Sequence, residues 1–275
     1  MQQKYSFIAA LRPFSFSVAL ITCLVGIVSS TGLTPLNGWL AAIVLLAAVV
    51  LQAGVNLIND YSDLRWVENP LAQQKIRRNF SLGLTCFLLA AVLGIYLVTL
   101  LGTPLLILLL IGLGGALGYT LEPINFKRRG LAVVLVFWLM GVLMVCGTYY
   151  VMTGTIIWQV FWQAVPVSLI SSLLLLANEI RDYESDLHQG IATLTVRIGL
   201  QRAVILYRLA AVGVFVIAGL LWLTNHITTL WWLMALPVLW LMFRALEAGL
   251  QQRNRLPPLT GRFYLFFGIL YTLSL

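Results

Sequence analysis

Charge is scarce in this sequence. Only 9% of its 275 residues are charged and 61% are hydrophobic, with a mean hydropathy of +0.96. Soluble domains carry about a quarter charged residues, so that class is excluded, and disordered, collagen-like and coiled-coil chains fall with it. The long apolar runs are unbroken, which excludes a membrane β-barrel with its alternating strands. Cysteine is sparse too: Cys23, Cys86 and Cys146 each lie within an apolar stretch. No CxxC or Cys/His spacing exists, so neither a disulfide framework nor a zinc site is indicated, and the three read as buried filler. The two histidines, His188 and His226, fall in connections and carry no pattern. Met1 to Pro13 runs into apolar sequence without a small-residue cleavage site, so no cleavable signal peptide is expected.

What the chain has in quantity is spans. A crossing helix needs about 20 mostly apolar residues, and nine candidate runs meet or approach this: 14–30, 38–58, 81–101, 104–121, 131–152, 156–178, 203–224, 228–246 and 262–275. The expected fold is therefore an all-α polytopic membrane protein, one domain over 1–275, with about nine helices around a central cavity. Connections are either short and uncharged or long and basic. Counting Lys4, Arg12, Arg244 and Arg262 near the span ends, 16 of the 17 Lys and Arg fall on the long-loop side, Arg208 being the exception. The positive-inside rule makes that side cytoplasmic, with the amino terminus and the open end of the cavity there. The +8 net charge then reflects topology beside anionic headgroups, and nucleic acid is not an expected partner.

Acidic residues are rarer still, and they are not scattered. Seven of nine lie in two short windows: Asp60, Asp63 and Glu68, and Glu179, Asp182, Glu184 and Asp186. The first window closes the second span, and the second closes the sixth. On a helix, Gln52, Asn56, Asp60 and Asp63 share one face, as do Asn178, Asp182 and Asp186. Asn56-x-Ile58-x-Asp60-Tyr61 repeats as Asn178-x-Ile180-x-Asp182-Tyr183 at an offset of 122 residues. A parallel duplication, roughly 14–121 and 131–246, accounts for this and brings both acidic ends to one side. Carboxylates at helix C-termini oppose the macrodipole and repel each other. Hard divalent cations between two such rows remove both penalties, and Mg²⁺ is commonly held by one or two carboxylates plus substrate phosphates. A cation-coupled transporter is the rival from another class, but it calls for acidic residues near the bilayer midplane rather than at one face.

These motifs resemble those of the UbiA superfamily of intramembrane prenyltransferases. Asn56/Asp60/Asp63 and Asn178/Asp182/Asp186 match its two aspartate-rich motifs in order and location. The likeness runs from Arg12-Pro13 to Gly190…Thr193-Leu194…Val196-Arg197-Ile198-Gly199. NLINDYSD, Tyr119-Thr120 with Pro123, Gly147-Thr148-Tyr149-Tyr150, Thr153-Gly154 and NEIRDYESD are most similar to the branch that prenylates 1,4-dihydroxy-2-naphthoate in menaquinone synthesis. Glu68 or Asn69 stands where the family usually has a further aspartate. Gly190-Ile191-Ala192 replaces the usual Gly-Lys, and the loop Gln73–Arg78 does not follow the family pattern.

The resemblance implies Mg²⁺-dependent transfer of a polyprenyl group from an allylic diphosphate to an aromatic acceptor, within the inner (plasma) membrane. It implies Asn56, Asp60, Asp63, Asp182 and Asp186 as metal ligands, with the four aspartates catalytic. Asn178, Arg12, Arg65, Lys127, Arg128, Arg181 and Arg197 would bind the diphosphate, where preorganised positive charge meets developing negative charge. Tyr61, Tyr119 and Tyr183 could face the allylic cation, Tyr119 being the one assigned to substrate. Gly112, Gly114, Gly115 and Gly118 permit close helix packing or leave room for the isoprenoid tail. Other acceptors of the superfamily, such as 4-hydroxybenzoate, homogentisate, haem or a futalosine-type intermediate, stay open. A CDP-alcohol phosphotransferase is disfavoured because its Asp-Gly…Ala-Arg motif is missing.

Overall fold

Apolar runs bounded by Asn, Pro and Gly become helices whose ends these residues fix. The computed structural model describes residues 5–61, 64, 67–120, 124–247 and 253–275, and the regular elements among them are all helical. In chain order they are α1 (Phe7–Leu11), a 3₁₀ turn (Pro13–Ser15), α2 (Phe16–Ser30), α3 (Gly38–Asn59), α4 (Pro70–Leu101) and α5 (Thr103–Thr120). Then come α6 (Ala132–Val136), a π-helical stretch (Phe137–Leu143) and α7 (Met144–Thr153), which run on as one rod. The rest are α8 (Trp158–His188), α9 (Leu194–Ile198), α10 (Leu200–Leu223), a 3₁₀ turn (Trp231–Ala235), α11 (Leu236–Glu247) and α12 (Leu256–Thr272).

Local chemistry explains the boundaries. The Asn37 side chain accepts hydrogen bonds from the backbone N–H groups of Trp39 and Leu40, at 3.1 and 3.2 Å, and starts α3. Asn69 does the same for Leu71 and Ala72 ahead of α4, with Pro70 at the first helical position. Gly102 and Gly154, at φ +81° and +70°, stop α4 and α7.

Six rods are long and apolar enough to cross a bilayer: Phe7–Ser30, Gly38–Asn59, Pro70–Leu101, Ala132–Thr153, Trp158–His188 and Leu200–Leu223. The other three expected spans fall on the shorter α5, α11 and α12. The expected basic loop before the third span is in large part helix, because α4 begins at Pro70 and carries Lys75, Arg77 and Arg78 on its first turns. Charge ends an apolar run, but it does not end a helix that has a cap. At about 1.5 Å per residue, α4 and α8 are roughly 48 and 46 Å long, well beyond the ~30 Å hydrocarbon slab.

α8 is the central rod, packed against α2, the π-helical stretch, α10 and α12. Its Ile170, Leu173, Leu176 and Ile180 join Val25, Val145, Tyr149, Tyr207 and Phe263 in the main core. Small residues set the closest approaches. A Cβ on Gly141 would overlap Ser168 of α8, and the adjoining π-helical widening lies at this contact. Gly115 abuts Leu139 and Gly118 abuts Phe126, whereas Gly114 faces open space. Glycine spacing in α5 thus serves packing at two positions.

Gly26 makes α2 and α7 touch backbone to backbone: a Cβ there would sit 2.6 Å from the Val145 carbonyl oxygen and 2.8 Å from Thr148 Cβ. Gly26→Val is expected to destabilise the detergent-solubilised protein by about 1–3 kcal/mol or more. A thermal-unfolding midpoint lowered by several degrees checks this, and an unchanged midpoint contradicts it.

Candidate active site

The end of α3 is built around a tether. Gln52, Asn56 and Asp60 lie on one face of the helix, and all three are buried. The Gln52 side-chain amide donates to Asn56 Oδ1 at 3.1 Å and to Ser15 Oγ at 3.2 Å. Asn56 Nδ2 donates to the Leu11 carbonyl at 2.7 Å and to Ser15 Oγ at 2.6 Å. These bonds clamp the segment between α1 and α2 against α3. Within that segment Arg12 adopts φ +49°, a left-handed conformation that is costly for a residue with a side chain and unusual before proline. The turn aims its guanidinium at the α3 terminus, where Nη2 lies 2.9 Å from Asp60 Oδ1. With the Asn59 amide oriented so that its oxygen faces Arg12, Nη2 is also 2.8 Å from that oxygen. Asp63 and Arg65 lie outside the described residues.

At the end of α8, Arg181 holds Asp182 through two parallel bonds, Nε to Oδ1 at 2.7 Å and Nη2 to Oδ2 at 2.6 Å. Asp186, one turn on, is repelled by Asp182 and attracted by Lys127 and Arg181, and Thr193 Oγ1 lies 3.4 Å from its Oδ2. Asn178 donates back to the Leu174 carbonyl at 2.9 Å. Glu179, which the spacing of the motif does not single out, is the buried carboxylate of this helix end. Its Oε2 accepts from the Thr195 backbone N–H at 3.0 Å and from Thr195 Oγ1 at 3.2 Å. That pins the loop after α8 to the helix. Its sequence signal lies in register: Glu179 follows Ser172 and Leu176 on the buried face of α8. Beyond it, Arg253 reaches Glu184 at 3.0 Å, so the start of α12 stands beside the end of α8.

The two helix ends share one electrostatic neighbourhood. Tyr119, at the end of α5, feels the charges of both Arg12 and Glu179. Lys127, in the turn after α5, acts on both Glu179 and Asp186. Charge interactions thus link Arg12 and Glu179 to Tyr119, and Lys127 to Glu179 and Asp186. Arg197 is differently employed: it donates to the carbonyls of Ala192 at 2.9 Å and Arg128 at 3.2 Å, bracing two loops. The Arg128 side chain is exposed, Tyr61 stacks on Phe80 with centroids 4.1 Å apart, and Tyr183 is half-buried.

Among the described residues no three His, Cys, Asp or Glu side chains converge on one point. The donors offered are carboxylate oxygens, one from α3 and two from α8. That suits a hard cation that takes one or two carboxylates and fills its remaining positions with water and phosphate oxygens. It does not suit zinc or another metal that prefers nitrogen or sulfur.

The sequence profile of the UbiA prenyltransferase family matches residues 19–273. The chain is 30% identical over 268 residues to a 1,4-dihydroxy-2-naphthoate octaprenyltransferase of Mycobacterium tuberculosis, covering 92% of this chain and 89% of that one. It is 29% identical over 296 residues to human UbiA prenyltransferase domain-containing protein 1, covering all of this chain and 84% of the relative. Among solved structures, a UbiA homologue from Archaeoglobus fulgidus bound to DMAPP and Mg²⁺ superposes with a TM-score of 0.64 at 15% identity. That alignment spans 98% of this chain and 100% of the other, a likeness of fold.

The tether can be tested on its own. Asn56→Ala removes two hydrogen bonds to the Arg12 segment, about 1–2 kcal/mol in total. Amide hydrogen exchange across residues 7–15 is expected to quicken by roughly five- to thirtyfold, with α8 unaffected. Unchanged exchange would show that Asn56 does not hold the segment.

Proposed function

We propose, from the premise that this chain belongs to the UbiA prenyltransferase family and is a prenyltransferase, that it joins a polyprenyl group from an allylic diphosphate to 1,4-dihydroxy-2-naphthoate in menaquinone synthesis. The observation that carries the reading is that the acidic ends of α3 and α8 each carry a cation, Arg12 on Asp60 and Arg181 on Asp182, with Lys127 acting on Asp186. The acceptor is suggested by the naphthoate octaprenyltransferase relative. In this reading about nine helices cross the plasma membrane, and the site and amino terminus are cytoplasmic, as the distribution of Lys and Arg requires. The two halves, 14–121 and 131–246, are a pseudo-repeat around the cavity.

Asp60, Asp63, Asp182 and Asp186, with Asn56 alongside, would hold Mg²⁺. When bound, Mg²⁺ supplies charge neutralisation for a departing diphosphate and fixes its orientation. The chain's own cations do the remainder. Arg12 and Arg181, now paired with Asp60 and Asp182, can share their donors with phosphate oxygens, and Lys127 and Arg128 approach from the turn after α5. Arg65 and Arg197 complete the set of basic residues on this face, with Arg197 acting mainly through the loops it braces. Asn178 keeps the Asp182 turn of α8 in register. Tyr119, between the two helix ends, presents an aromatic face where positive charge develops on the allylic carbon. The isoprenoid tail extends between apolar helices, so that water is kept from the carbocation while the acceptor ring captures it.

Asp60→Ala and Asp182→Ala are each expected to lower prenyl transfer at least a hundredfold, while insertion and the thermal midpoint change little. Chelation of divalent cations should abolish turnover and Mg²⁺ should restore it. Radiolabelled product from each candidate acceptor, paired with prenyl diphosphates of several lengths, measures activity and specificity together. Near-normal turnover in either variant would overturn the metal assignment. A product formed only from another acceptor would overturn the naphthoate assignment and leave the chemistry standing.

A further inference from the structure

Away from the aspartates, α11 and α12 enclose a cavity of about 500 Å³ with an unusual lining: Leu241, Arg244 and Ala245 from one side, and Arg255, Leu259 and Arg262 from the other. Three arginines therefore line a concavity whose remaining walls, Pro258 included, are aliphatic. None of the three has a carboxylate partner among the described residues. Glu247, the acidic residue of α11, is bonded instead to Arg208 at 3.2 Å. Residues 248–252, which join the two helices, contain no acid. Arg244 is held in place by the Trp240 ring, its Cζ 4.6 Å from the centroid.

Location adds to composition. Arg253, just ahead of α12, reaches Glu184 on α8, so the cavity stands at the membrane face that carries the site. Below it, Trp240, Leu241, Leu265 and Phe266 are exposed large apolar side chains on the outer surfaces of the same two helices. A ligand seated here meets a positive pocket at headgroup depth and an apolar wall beneath. Guanidiniums favour phosphate oxygens, which they bind in bidentate fashion, and basic pockets between helix ends suit anionic headgroups. Free phosphate satisfies the arginines but leaves the apolar wall without a partner.

We propose that this cavity binds the phosphodiester headgroup of an anionic membrane phospholipid, with an acyl chain along α11 and α12. It is separate from the prenyl diphosphate site: its arginines are not those that flank Asp60 or Asp182, and the inference does not depend on the acceptor assigned above. The phosphodiester, with one negative charge, offsets part of the repulsion among the three cations and draws the ends of α11 and α12 together.

Native mass spectrometry of the whole detergent-solubilised chain tests this, with phosphatidylglycerol, phosphatidylcholine, inorganic phosphate and geranyl diphosphate as separate probes. Phosphatidylglycerol is expected to bind at least tenfold more tightly than phosphatidylcholine. The triple variant Arg244→Gln/Arg255→Gln/Arg262→Gln should lose that preference while keeping prenyl transfer in detergent. Should the triple variant fold poorly, Arg262→Gln alone is expected to weaken phosphatidylglycerol binding at least threefold. Equal binding of the two lipids, or an unchanged preference in the variants, overturns the proposal. Inorganic phosphate competing at equal concentration would make this a free-anion site, and binding of geranyl diphosphate that the triple variant loses would make it a substrate station. Either result also overturns it.

Discussion

Carboxylates at the C-terminal ends of apolar helices repel one another, oppose the helix dipole and lose hydration, so each has to be held by a positive group or by hydrogen-bond donors. That constraint organises this protein. Asp60 is met by Arg12 and Asp182 by Arg181, and Lys127 offsets the charge at Asp186. The pairing of Arg12 reaches furthest, because it draws a left-handed turn at the start of the chain onto the end of α3. Strained backbone of this kind persists only where its surroundings over-determine it. Here Gln52, Asn56 and Ser15 supply that over-determination through four hydrogen bonds.

The same arrangement separates two duties that the motif alone does not distinguish. Asn56 lies on the aspartate face, yet its amide is committed to the Leu11 carbonyl and Ser15. Glu179 lies one residue from Asn178, yet it is committed to Thr195 and the loop beyond α8. Both fix backbone beside Asp60, Asp182 and Asp186, which take their ion pairs and hydrogen bonds from Arg12, Arg181 and Thr193.

Much of this was legible before any coordinates. Apolar runs located the rods, and the clustered acids fall at the ends of α3 and α8, because burial and charge leave direct marks on composition. What escaped has a common cause. The first turns of α4 were hidden because Lys75, Arg77 and Arg78 break the apolar run, although Asn69 and Pro70 cap a helix there. The clamp between Asn56 and Leu11 joins residues 45 apart and leaves no local pattern. The role of Arg197 as a brace depends on carbonyls of Ala192 and Arg128 that only the fold brings near. Hydropathy reports each residue's surroundings and says nothing of its partners.

The length of α8 has a consequence of its own. From Trp158 at one end to Asp182 near the other, one helix of 24 rises, with Pro166 inside it, spans about 36 Å. Trp158 and Trp162 offer indole rings on the outer surface, where such rings settle at the lipid–water boundary. A rod anchored at one boundary cannot lengthen, so in a thicker bilayer its acidic tip would sink toward hydrocarbon, and in a thinner one it would rise into water. Unless tilt or bilayer deformation takes up the mismatch, lipid chain length would then bear on how wet those carboxylates are.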